Sequence, residues 1–174
     1  SLCWSFSNRS ALVRVPLGWI NNGKDMLANC NPLETPSTKD FSDKQTFEWR
    51  ASDASADIYL LMAALCAAAR YGLESPEALE VAERTYVGLG VKIHDDKNKS
   101  VQDALEQLPD SCYRAAEELE KDREIYTSKG VFSDNIVDYM IKYLKNFNDA
   151  NLRAELGNDT EKIMKVVNDN IHVG

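Results

Sequence analysis

Apolar positions recur along this chain with two periods, and the period changes near residue 53. Before that point the runs are short and alternate, as strands do. Trp4 and Phe6 alternate with smaller residues in Cys3 to Ser7, which predicts a first strand. Arg9 to Val15 predicts a second, stopped by Pro16, which has no N–H for a ladder. In it Ala11, Val13 and Val15 share one face, and Leu12 and Arg14 share the other. Thr46 to Arg50 predicts a third strand. There Phe47 and Trp49 are free to bury on one face, while Glu48 and Arg50 point together toward a cleft or solvent. Between the second and third strands, 17–45 carries Gly18, Gly23, Pro32 and Pro36 and has no strong period. It predicts a long loop that is either functional or mobile, with Trp19 and Ile20 either as anchors or as a contact with a further part of the protein.

After residue 53 the spacing is helical. Asp53 or Ser55 is placed to cap a helix running to about Arg70, and Leu60 to Ala69 is apolar nearly all round, as in a buried core helix. Ser75-Pro76-Glu77 opens the next, with Leu79, Ala82, Tyr86 and Leu89 as its stripe and Gly88 and Gly90 as its end. The segment 91–108 holds His94-Asp95-Asp96 and a Lys/Asn run. His94-Asp95-Asp96 in it is better explained as solvated loop than as a metal pair, since no third ligand is near, and His172 is read the same way. Pro109-Asp110-Ser111 opens a helix that turns Cys112, Ala115, Ala116, Leu119 and Tyr126 inward, and Lys129-Gly130 ends it. Its Glu117, Glu118, Glu120 and Glu124 alternate with Lys121 and Arg123 on a solvated face. Ser133 or Asp134 starts a helix with Ile136, Val137, Met140, Ile141 and Leu144 in register, and Asn158 to Glu161 opens the last. The pattern predicts an α+β chain, mostly helical, with a strand-and-loop part over 1–52 and a helical part over 53–174.

Composition narrows the function. An apolar share of 44% and a charged share of 28% are ordinary for a globular domain with its own core. A net charge of −8 argues against a nucleic-acid partner, which wants a basic face. The longest apolar run, Ile58 to Ala69, is too short to span a bilayer and meets Arg70, so no membrane partner is expected. Cys3, Cys30, Cys66 and Cys112 are scattered without a CxxC pair. They are expected to be reduced thiols in a cytoplasmic protein, and no signal peptide is read at the start.

The candidate chemistry is Arg9, Arg14, Glu48 and Arg50. Arginine grips phosphate or carboxylate oxygens with a planar fork and keeps its charge. Arg9 lies in a polar Ser-Asn-Arg-Ser bend that is able to turn it toward the strand residues. Glutamate among arginines is either their ion-pair partner or a ligand for a hard cation. The plain alternative is an exposed cross-strand salt bridge.

The ordered set of motifs resembles the end of the catalytic domain of glutamine synthetases. It runs Asn8-Arg9-Ser10, Val13-Arg14-Val15-Pro16, Phe47-Glu48-Trp49-Arg50 and Asp53 to Leu60. It continues with Leu119 to Glu124 and Gly130-Val131-Phe132-Ser133-Asp134. The resemblance implies a few antiparallel strands packed on an α-helical bundle. It also implies an ATP-dependent glutamate–ammonia ligase working through a γ-glutamyl phosphate. Glu48 would then ligate Mg2+ or Mn2+, Arg14 would contact the ATP phosphates, Arg9 would hold the γ-phosphoryl, and Arg50 would hold substrate. It further implies a C-terminal fragment, inactive alone, of a parent assembled as stacked rings. Thr46 stands where many members carry a basic residue, and the 17–45 loop is longer than in the simplest members. The alternatives are a non-catalytic or regulatory relative and a γ-glutamyl ligase for another amine.

Overall fold

The structure, a computed structural model, describes residues 1–16, 29–33, 45–53 and 55–171. Most of the 17–45 loop, Trp19 and Ile20 included, and His172 lie outside them. In chain order the elements are β1 (Trp4–Phe6), β2 (Val13–Val15), β3 (Glu48–Trp49), α1 (Ile58–Glu74), α2 (Ala78–Thr85) and α3 (Lys99–Ala104). They continue with α4 (Cys112–Lys121), α5 (Arg123–Thr127), α6 (Asp134–Lys145), α7 (Leu152–Leu156) and α8 (Thr160–Asn170). The result is α+β and mostly helical, as the pattern predicts. Two compact units emerge: Ser1–Ser52 with Leu79–Leu108, and Asp53–Ala78 with Pro109–Gly174. The change of period near 53 is a boundary between them, and Leu79–Leu108 goes with the strands.

In the first unit the sheet order is β1-β2-β3. β2 and β3 are antiparallel, but β1 and β2 are parallel, so the sheet is mixed where antiparallel strands throughout were expected. Parallel neighbours ordinarily need a crossover of about a dozen residues. Here the short 7–12 connection suffices because its own groups hold a tight loop. Ser7 takes a left-handed φ of 50° and its N–H donates to Val15 O at 2.8 Å. Asn8 Oδ1 then accepts from the Ser10 N–H at 3.0 Å and from Ser10 Oγ at 2.7 Å.

The outer side of β1 explains why residues 79–108 belong here. Trp4 Nε1 donates to Ala82 O at 2.7 Å, and the Val87 N–H donates to Trp4 O at 2.9 Å. Tyr86 bridges Trp4 and packs on its ring at 4.9 Å. This pairing ends α2 at Thr85, before the glycines expected to end it. Cys3, Ala11, Val87 and Ile93 form the core, with Val101 of α3 and Leu105 against them. The 91–108 segment, for which the sequence pattern singled out no element, carries a helix preceded by a 3-10 turn at Asp96–Asn98.

In the second unit Ala116, Phe132, Val137 and Ile141 make the core, with Leu60, Ala63 and Ala64 of α1 laid on it. Tyr126 and Phe132 meet edge to face at 5.9 Å. Of α1 only Ala67 is buried, which corrects the expectation of a core helix covered all round. Its small residues let one stripe approach closely, while Tyr59 and Leu73 stay 85% and 88% exposed. Its cap is Asp57, whose carboxylate accepts from the N–H groups of Tyr59 and Leu60 at 2.9 and 3.1 Å. The expected caps instead satisfy each other, Asp53 Oδ1 accepting from the Ser55 N–H and Oγ at 2.8 Å.

Ser111 and Ser133 do cap α4 and α6, and Asp159 caps α8. The helix expected to run unbroken from Ser111 breaks at Asp122 and resumes as α5. Gly130, at φ 70°, turns the chain after it. No helix of the described residues is long and apolar enough to cross a membrane. All four cysteines are free thiols, Cys3 buried, Cys30 and Cys66 exposed, and Cys112 half-buried.

Candidate active site

The β2–β3 pairing sets Arg14 directly opposite Glu48. One residue past β3, the Arg50 N–H donates to Leu12 O at 3.0 Å, which carries the ladder on. Arg50 thus falls two positions from Glu48 on the same face. Arg14 Nη1 donates to Glu48 Oε2 at 2.6 Å, and Arg50 Nη1 donates to Glu48 Oε1 at 3.0 Å. The side chains are 21% exposed for Arg14, 39% for Glu48 and 36% for Arg50. The Arg14 hydrogen bond above all, helped by the charges of Arg14 and Arg50, holds the Glu48 carboxyl below its ordinary value of 4.5. Phe47 and Trp49 remain exposed on their side of the strand, where burial was expected.

This cluster holds more positive charge than it spends. Two guanidiniums share one carboxylate, and Arg14 Nε is buried with no hydrogen-bond partner among the described residues. Buried donors are normally satisfied, so an oxyanion is the natural complement.

Arg9 stands apart from the other three. It is exposed on the 7–10 turn, has no ion pair among the described residues, and lines a cleft of about 700 Å3. Lys92 and His94 line the same cleft. Sequence reasoning missed that juxtaposition, because the ties that make it are long-range. Asn8 Nδ2 donates to Val91 O at 2.7 Å, and the Ile93 N–H donates to Ser10 Oγ at 3.2 Å. No local signal connects residue 9 with residue 92.

A divalent metal would find one ligand here. Glu48 is an ionised hard oxygen donor, and each of its oxygens accepts one guanidinium bond, which leaves further lone pairs. Mg2+ characteristically takes one or two carboxylates together with phosphate oxygens, so Glu48 fits as a single ligand. The described residues hold no group of three His, Cys, Asp or Glu side chains able to complete a site.

The second unit has an apolar cavity of about 310 Å3 between α1 and α6, lined by Leu60, Leu61, Phe132, Ile136 and Met140 among others. Its two titratable lining residues have structural places: Asp57 caps α1 through the N–H groups of Tyr59 and Leu60, and Tyr126 packs edge to face on Phe132.

The sequence model of the family described as glutamine synthetase, catalytic domain, matches residues 1–159. The chain belongs to this family. Curated glutamine synthetases match it at low identity. That of Pyrococcus horikoshii is 26% identical over 162 residues, covering 93% of this chain and 30% of the relative. That of Pyrococcus furiosus is 27% identical over 165 residues, covering 93% and 31%. That of Thermococcus kodakarensis is 25% identical over 162 residues, again 93% and 30%. The chain thus spans about 30% of the length of the curated relatives it matches. No solved structure matches it significantly.

Proposed function

We propose that the protein carrying this chain is an ATP-dependent glutamate–ammonia ligase. In the first step a side-chain oxygen of glutamate attacks the γ-phosphorus of ATP, and ADP leaves. In the second, ammonia attacks the acyl carbon of γ-glutamyl phosphate, and phosphate departs with that glutamate oxygen. Arg14 binds the ATP phosphates, Arg9 holds the transferring γ-phosphoryl, and Arg50 holds glutamate and its developing phosphoryl oxygens. Glu48 orients Arg14 and Arg50 and serves as the ligand of Mg2+ or Mn2+. When bound, that ion supplies charge neutralisation on the phosphates. The chain's share of the reaction is positioning and electrostatics, which is most of what phosphoryl transfer asks of a protein.

The observation that carries this reading is the pair of guanidiniums, Arg14 and Arg50, that share the one carboxylate of Glu48 among the described residues, with Arg14 Nε left unpartnered there. The same reading makes the protein a cytoplasmic homo-oligomer of stacked rings, with glutamate and ammonia as substrates.

The test is glutamine formation from glutamate, ATP and ammonium with Mg2+. Glu48→Ala is expected to lower the rate about 10³-fold, the order seen when one charge-stabilising group is lost. Turnover only with a different amine would keep the phosphoryl chemistry and replace ammonia. A protein that folds, assembles and makes no product with any amine would be a non-catalytic relative, with Glu48 closed off as a structural clamp.

A further inference from the structure

We propose that the cleft between the 7–10 turn and the 90–95 segment is an oxyanion site for a phosphate group, with Lys92 and His94 joining Arg9 as its walls. The proposal rests on the ligase reading where that reading gives Arg9 the transferring phosphoryl. It adds two residues from a distant part of the chain.

Three observations carry it. First, the cleft, of about 700 Å3, gathers Arg9, Lys92 and His94, and neither Arg9 nor Lys92 has an ion pair among the described residues. The one acid among its described lining residues, Asp95, accepts the Lys97 N–H at 3.1 Å. On a chain with a net charge of −8 this is a local reversal of sign.

Second, Ser7 Oγ in the same wall is buried and has no hydrogen-bond partner among the described residues. Buried hydroxyls normally have a partner, so this one is an exception within the cleft wall.

Third, the walls are fixed to each other. Asn8 bonds Val91 O, Ser10 Oγ accepts the Ile93 N–H, and Ile93 itself is 1% exposed. Lys92 and His94 flank that anchored residue, so their backbone is held against the turn that carries Arg9. Rigid support of this kind is what lets separate donors act on one ligand.

The experiment is a titration of this 174-residue chain with inorganic phosphate at constant ionic strength, followed by the backbone amide resonances. Saturable shifts are expected at Ser7, Arg9, Lys92 and His94, with one shared Kd. Lys92→Gln should raise that Kd about tenfold, and Lys92→Arg should restore it, as for a charge-assisted bond. No saturable shift at these amides, or the same Kd in Lys92→Gln and Arg9→Gln, would overturn the site. The ligase reading is scored separately by glutamine formation. If phosphate binds with this dependence and no glutamine forms, the anion site stands and only the catalytic assignment of Arg9 falls.

Discussion

Two arginine clusters in this molecule look alike in a list of ion pairs and differ in what they leave over. In the first unit, among the described residues, Arg14 and Arg50 close on Glu48 alone. In the second, Arg123 meets Glu120 at 3.0 Å, Asp138 at 2.6 Å and Asp134 at 3.5 Å. All three guanidinium nitrogens of Arg123 are spent on carboxylates. Arg14 spends Nη1 on Glu48 and keeps a buried Nε without a partner among the described residues. The first cluster is an excess of cation around one acid, and the second is an excess of acid around one cation. Only the first is suited to an incoming anion, and the number of contacts does not tell them apart.

Variants sharpen that contrast. Arg14→Lys keeps the charge and loses the fork, and glutamine formation is expected to fall about 10²-fold with KM for ATP raised. An unchanged KM would remove Arg14 from the nucleotide.

Asp149 gives an intermediate effect, on stability alone. Its Oδ2 accepts the Cys112 N–H at 2.8 Å and its Oδ1 the Tyr113 N–H at 2.9 Å, so it caps α4 from far along the chain. Burial raises its carboxyl, but the backbone N–H bonds from Tyr113 and Cys112 outweigh that and hold it below 3.8. Asp149→Ala should cost about 1–2 kcal/mol near neutral pH. Because the folded value is depressed, the stabilisation is fully present above 3.8 and is lost as pH falls through the lower folded value. The difference between variant and parent in denaturant melts should therefore shrink below that pH, and a constant difference would refute the cap.

Arg123→Ala should do least. Its acids are largely exposed, so glutamine formation should be unchanged and Tm should fall by less than about 4 °C. A large loss of activity would mean that the two clusters are not different in kind.

Much of this was legible in sequence where the controlling bond is local. Ser111 and Ser133 cap their helices through N–H groups three residues on, which spacing alone exposes. The Glu48 and Arg50 pairing followed from strand alternation, and Arg14 fell opposite Glu48 as a cross-strand neighbour. What escaped depends on distant partners. The parallel β1–β2 pair turns on a left-handed Ser7, the early end of α2 on Trp4, and the capping of α4 on Asp149. The exposure of α1 escaped for another reason: an apolar run fixes what a helix is able to bury, not what is present to bury it.

On the proposed function, the arginine-rich site serves transfer of a phosphoryl group to glutamate. The most direct measurement supplies glutamate labelled with 18O in its side-chain carboxylate, together with ATP, Mg2+ and ammonium, and weighs the phosphate released. One 18O is expected in each phosphate formed with glutamine, lost in step with product in Glu48→Ala. Glutamine accompanied by unlabelled phosphate would contradict it, because no acyl phosphate would then have formed.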